Sequence, residues 1–188
     1  MKKWLFNPFI YIAGTKALII GWAAMLGAAV IGYYSKTHFD GVLDAHSGHA
    51  APMWFYFEDA LVDWSLLVVI FYTAGSIFSR SSIRFIDVAG TFALARWVMI
   101  FVAIAGFGVY MPGPNQPVSM EEMMKRVMTG PVIVCGLLSL ALVVWMVALM
   151  YNAFTTSCNL KGGKAVWSFI IGLIIAEVLS KLILHTIY

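Results

Sequence analysis

Asp87–Tyr110 reads DVAGTFALARWVMIFVAIAGFGVY. It is apolar for longer than the roughly 20 residues needed to cross about 30 Å of hydrocarbon, yet Arg96 stands well inside it. An arginine at that depth faces lipid only at a penalty of several kcal/mol, so it must find a partner or water. Two apolar runs precede this stretch and two follow it. It is therefore read as the middle of five spans, with the other four packed so as to hide and pair its charge.

Composition leads to the same class. The 188 residues are 62% hydrophobic and 11% charged, with a mean hydropathy of +0.88. Soluble domains are about 25% charged, and a water-bathed chain so poor in charge could not cover its surface. The bilayer must act as solvent for much of it. Five spans with short loops use the whole length, which points to one all-α integral membrane domain over 1–188. The net charge of +3 is small and the basic residues form no dense stripe, so nucleic acid is not an expected partner. Cys135 and Cys158 lie in or beside an apolar span without a partner pattern, which argues against a disulfide framework or a zinc ribbon. The opening MKKWLFNPF is basic and then apolar, but the apolar run after it begins too late and runs too long for a cleaved signal peptide.

The spans are expected at 17–34, 59–78, 87–110, 131–154 and 165–188. Asn7-Pro8 has the form of a cap followed by proline at the first helical position, and 8–16 is read as a short interfacial helix with aromatic and lysine anchors. A second interfacial helix is expected at 119–129. There Ser119 and Glu122 have capping-box spacing, and Met120, Met123, Met124 and Met128 share one face. That stripe is read as membrane packing rather than a soft-metal site. Ala24, Ala28 and Gly32 in the first span, and Ser168, Gly172, Ala176 and Ser180 in the fifth, form small faces that permit close helix contact.

Lysine and arginine in short loops set the orientation. Lys2, Lys3, Lys16, Arg80, Arg84, Lys161 and Lys164 fall on one side, and Lys36, Lys125 and Arg126 on the other. The amino terminus is therefore expected in the cytoplasm. The carboxyl terminus and the polar stretch 35–58 are expected outside.

Four ionisable residues sit inside spans: Asp63, Arg96, Glu177 and Lys181. From a rise of about 1.5 Å per residue, Asp63, Glu177 and Lys181 share an outer layer, and Arg96 can reach up toward Glu177. Such charges either pair and hold helix register or line an ion or proton path. The outer stretch carries Asp44, His46 and His49, with His38 and Asp40 upstream. Imidazole and carboxylate at such spacing can bind zinc or copper. No His-Glu-x-x-His helix is present, however, and the glycine and alanine around them fit a solvated loop. No histidine sits mid-span to hold haem, and there is no phosphate loop, serine elbow or cysteine nucleophile context. No catalytic residue and no cofactor are expected.

Asn7-Pro8 before the first span, DVAGTFALARW at Asp87–Trp97, and VVWMVALMYNAFTTSCNLKGGKAVWSFIIGLII at Val143–Ile175 carry a resemblance to the Yip1 domain family, in its short prokaryotic form. A tryptophan in span four, a polar turn, then Lys164-Ala165 opening span five is similar to that family's pattern. The resemblance extends over nearly the whole chain and implies five spans with a cytoplasmic amino terminus. Eukaryotic relatives meet Rab-type GTPases through a longer amino-terminal region. Only about sixteen residues precede the first span here, too few for a domain, so GTPase binding is not expected. Family members often carry proline where Val98 stands, so a kink in span three is expected to be missing or shifted.

The chain is thus read as a non-enzymatic scaffold or interaction protein of a prokaryotic inner membrane, with partners in the bilayer: lipid, other membrane proteins, or a second copy met through the small faces of spans one and five. The alternatives are a transporter or channel using Asp63, Arg96, Glu177 and Lys181, and a metal-binding sensor using the outer loop.

Overall fold

A computed structural model of the chain describes residues 2–48, 50–109 and 119–187. Five helices in it are long and apolar enough to cross a membrane: Gly14–Ser35, Met53–Phe78, Phe85–Gly106, Gly130–Ser157 and Gly162–Ile187. In chain order these are α2, α3, the pair α4 (Phe85–Ala95) and α5 (Met99–Gly106), α7 and α8. Short helices α1 (Lys2–Phe6) and α6 (Met120–Val127) complete the set.

The helix that holds Arg96 is the axis of the bundle. In α4–α5, 78% of the most apolar window is buried, against 11% in α7. α7 leaves Leu137, Leu138 and Leu140 exposed, as a helix facing lipid would, because lipid tails are as apolar as leucine. What must go inside is the helix with the charge. Close approach to α2 depends on missing side chains. A Cβ on Gly90 would sit 2.3 Å from the Gly14 carbonyl oxygen, and one on Gly21 would sit 2.4 Å from the backbone of Ala93. On the other side, Phe71 of α3 stacks on Phe92 of α4 at 4.7 Å between ring centroids. It also meets Phe154 of α7 at 5.0 Å and Phe169 of α8 at 5.4 Å, so one aromatic cluster ties four helices together.

The small faces expected to recruit a second copy are used within the chain. In α2, Ala28 and Gly32 are buried together with Gly21 and Met25. In α8, Ser168, Gly172, Ala176 and Ser180 are all buried, and a Cβ on Gly172 would come within 3.0 Å of Phe71. Helix contact through small residues has been made, but between elements of one chain.

The third helix is interrupted by a 3-10 turn at Arg96–Val98. Its change of winding thus falls at Val98 without a proline there. A mid-helix 3-10 stretch marks strain or function, and here it coincides with the residue that carries the buried charge. The helix then ends at Gly106, short of the expected Tyr110, which lies outside the described residues, as do the prolines at 112, 114 and 117.

The amino-terminal segment also differs from expectation. Lys2–Phe6 is helical, and the expected helix 8–16 reduces to one 3-10 turn at Pro8–Ile10. Asn7 makes no side-chain cap; its Oδ1 accepts a bond from the Thr156 hydroxyl at 3.3 Å. Donors on α7 explain this. Trp145 Nε1 donates to the Leu5 carbonyl and Asn152 Nδ2 to the Phe6 carbonyl, both at 2.9 Å, so the segment is tied along α7. The capping box of the second short helix is formed as spaced, with Glu122 N–H donating to Ser119 Oγ at 3.2 Å and Ser119 N–H to Glu122 Oε2 at 3.3 Å. Of its methionine stripe, Met124 and Met128 are exposed, while the side chains of Met120 and Met123 lie outside the described residues.

Gly90→Leu should lower the stability of the detergent-solubilised protein by about 3 kcal/mol or prevent folding, because backbone stands where the side chain must go. Gly27, where an added Cβ meets nothing within 4 Å, is the matched control. Gly27→Leu should stay within about 0.5 kcal/mol of the parent. Equal thermal melting of the two variants would contradict the packing described.

Candidate functional site: a buried ion pair roofed by the 36–52 loop

The polar residues of the third helix and the 36–52 loop meet at one end of the bundle. Lys36 ends α2 in the left-handed region at φ 57°, and the chain folds back over the helix ends. Thr37–His38 pairs antiparallel with His46–Ser47. The stretch between them dips inward, burying Phe39 and Val42. This loop, expected to be solvated, is instead a lid whose tip belongs to the core, and the reason lies beneath it.

Arg96 is 2% exposed and Asp63 is fully buried. Arg96 Nη2 donates to Asp63 Oδ2 at 2.7 Å, and Nη1 donates to the Val42 carbonyl at 3.1 Å. The Ser180 hydroxyl of α8 donates to the other oxygen of Asp63. One guanidinium therefore joins α3, the central helix and the loop, and the carboxylate adds α8. A buried ion pair is tolerable only when its remaining donors and acceptors are met, and the loop carbonyl and the serine hydroxyl provide this. The cavity touching Arg96 measures about 10 Å³, scarcely room for one water. The pair is closed rather than set in a channel.

Arg96 does not reach Glu177, as depth alone suggested. Glu177 accepts a bond from the Leu43 N–H at 2.8 Å, so it holds the loop from the side of α8. Gly41 makes room for it, since a Cβ there would sit 2.9 Å from Glu177 Oε1. Lys181, half exposed one turn further on, pairs with Asp44 at 2.6 Å and with Glu177 at 3.4 Å. The four charges within the long apolar helices thus divide into a dry pair, Asp63–Arg96, and a wetter pair, Glu177–Lys181. Both pairs grip the same loop.

At the rim, His46 Nδ1 lies 3.2 Å from Asp40 Oδ1, and His38 Nε2 lies 3.1 Å from the Tyr56 hydroxyl. The hydrogen bond to Asp40 holds the His46 imidazolium above its ordinary 6.5, with Asp40, Asp44 and Asp59 adding charge attraction and partial burial opposing. The bond to His46 likewise holds the Asp40 carboxyl below its ordinary 3.8. Asp40, Asp44 and His46 place one ligand atom each within 4.8 Å of one another, so they could hold a metal. Asp40 thus stands with Asp44 and His46 in the set; His49 lies outside the described residues. A metal would have to displace Lys181 from Asp44 and His46 from Asp40.

Sequence reasoning named Asp63, Arg96, Glu177 and Lys181 but missed their loop partners. Backbone groups of Val42 and Leu43 carry no residue-type signal. Ser180 was visible only as a small residue. Comparison with protein-family models, with curated proteins and with solved structures finds no match.

Removing one member of the dry pair should leave the other buried and uncompensated, lowering stability by about 3–5 kcal/mol. Arg96→Gln and Asp63→Asn should each melt early in detergent, and the double variant Asp63→Leu/Arg96→Met should regain much of the loss. A double variant worse than the sum of the singles would contradict the closed-pair reading.

The rim pair makes a pH prediction. His46 is raised on folding, so its contribution is complete below pH 6.5 and fades as pH climbs past its folded value. Asp40 is lowered, so its contribution is complete above pH 3.8 and fades on acidification past its folded value. Attachment of the loop is tightest in the window between 3.8 and 6.5. Titration of His46 by NMR should give a pKa above 6.5 that falls back in Asp40→Asn; an unchanged value would remove the pair.

Proposed function

We propose that this chain is a non-enzymatic integral membrane protein of scaffold or interaction type, resembling the short prokaryotic members of the Yip1 domain family. Its amino terminus lies in the cytoplasm and its carboxyl terminus outside. One observation carries the non-transport part of this reading: the intramembrane charges are spent on each other and on the 36–52 loop, with almost no space beside Arg96. A carrier or channel needs charges that exchange partners or meet water. Here the charges hold a lid shut, so what the bundle presents at that end is a shaped polar surface with Lys181, Asp44, Asp40 and His46 at its rim. Lysine and arginine counts in the short loops support the orientation.

Transport is the second reading, and it draws on the run of charges from Lys181 through Glu177 toward Asp63. Metal sensing by the rim is disfavoured because Lys181 already neutralises Asp44.

The test is flux. In proteoliposomes loaded with a pH-sensitive dye, the parent and Arg96→Gln should both leave an imposed proton gradient intact, with the variant changed in melting alone. A parent that dissipates the gradient, and an Arg96→Gln variant that folds but does not, would make the transport reading the right one. Orientation is checked by impermeant thiol labelling of His46→Cys and Ser82→Cys in a background without Cys135 and Cys158. His46→Cys should label from outside and Ser82→Cys only after the membrane is opened.

A further inference from the structure

At the end of the bundle opposite the loop, α3 and α8 flank a groove. They close on each other where Gly172 meets Phe71. Between them, from Ile175 to Gly163 on α8, this groove measures about 700 Å³. Ile70, Ala74, Ser168 and Gly172 form part of its wall, and the exposed side chains of Ile77 and Trp167 flank it. The wall is almost wholly hydrocarbon, and the Ser168 hydroxyl that it contains is already used, donating to the Lys164 carbonyl at 2.5 Å. Gly163 to Ile175, the lining stretch of α8, spans about 18 Å at 1.5 Å per residue. That is close to the roughly 15 Å of a single leaflet's hydrocarbon.

The mouth of the groove is basic. Lys164 lines it. Lys161 and Arg80 stand in the two adjacent turns, which Asn159 joins by donating to Ser81 Oγ at 2.9 Å. Among the described residues, none of these three cations has a carboxylate partner. Arg84, which does have one, is held by Asp87 at 3.7 Å. Trp167, one residue turn inside the mouth, has the amphipathic character of an interfacial anchor. An apolar slot one leaflet deep with uncompensated positive charge at its mouth matches an anionic phospholipid: an acyl chain along the slot and a phosphate at Lys164.

We propose that the α3–α8 groove is a binding site for one anionic phospholipid of the leaflet on the side of the Arg80 and Lys161 turns. This rests on the membrane reading above and adds to it a specific lipid ligand. The slot distinguishes the site from ordinary boundary lipid, which would not discriminate between headgroups at one position.

The experiment is native mass spectrometry of the full chain released from nanodiscs of equal parts phosphatidylglycerol and phosphatidylcholine. The parent should retain one phosphatidylglycerol in preference to phosphatidylcholine. Lys164→Gln should reduce that preference about fivefold, the weight of one interfacial cation. Thr73→Trp, which fills the groove from an exposed position, should abolish retention of either lipid. Both variants should melt like the parent, since neither position is in the core. Equal retention of the two lipids, or retention unaffected by both variants, overturns the proposal in favour of boundary lipid. A lipid-free dimer that Thr73→Trp converts to monomer overturns it in favour of a second copy in the groove. If the parent is instead soluble and folded without detergent, the membrane reading itself fails, an outcome distinct from loss of lipid preference.

Discussion

One guanidinium, that of Arg96, has to be neutralised away from water, and much of the bundle is arranged to do so. Asp63 supplies the countercharge from α3, Val42 supplies a carbonyl from the loop, and Ser180 satisfies the carboxylate from α8. Leaving out any of these would strand a polar group in a region where nothing else can solvate it. The arrangement therefore couples the position of three helices to the conformation of a loop. It also accounts for the burial of the third helix, whose neighbours close around it through Gly21, Gly90 and the Phe71 cluster.

The two ends of the bundle are built on different chemistry. At the loop end, charges are paired in graded layers. Asp63–Arg96 is dry, Glu177 and Lys181 are partly wet, and Asp40–His46 lies at the rim. Each layer holds the same short loop, so that surface is held in shape from below. At the opposite end, cations outnumber acids among the described residues and a groove lies between α3 and α8. The proposed interaction surface and the proposed anionic-lipid site fall at these two ends. In the proposed membrane protein this asymmetry agrees with the positive-inside distribution of lysine and arginine.

The closed state of the ion pair also separates holding from conducting. Groups that relay protons or ions must trade partners, whereas Arg96 and Asp63 are each met by hydrogen bonds, with room for scarcely one water beside Arg96. Together they tie α3, the central helix and the loop tip at one point. The 3-10 turn at Arg96–Val98 begins at the residue that makes these bonds.

Much of the fold was legible in the residues alone. Five long apolar runs and a shortage of charge imply helices solvated by lipid, because every backbone polar group in such a run must be satisfied within the helix. The isolated Arg96 likewise implied a paired, central third helix, since the energetics of a buried charge do not depend on the details of packing. Tertiary structure decided which acid answers it. Depth along the helices pointed to Glu177, but contact depends on helix rotation, and rotation is set by close approaches such as Gly90 on Gly14 that no hydrophobic pattern encodes. It also decided that the 36–52 loop turns inward, because the attractors are a guanidinium from one helix and a carboxylate from another acting on backbone groups of Val42 and Leu43. Backbone donors and acceptors are the same at every residue, so only the fold can select them.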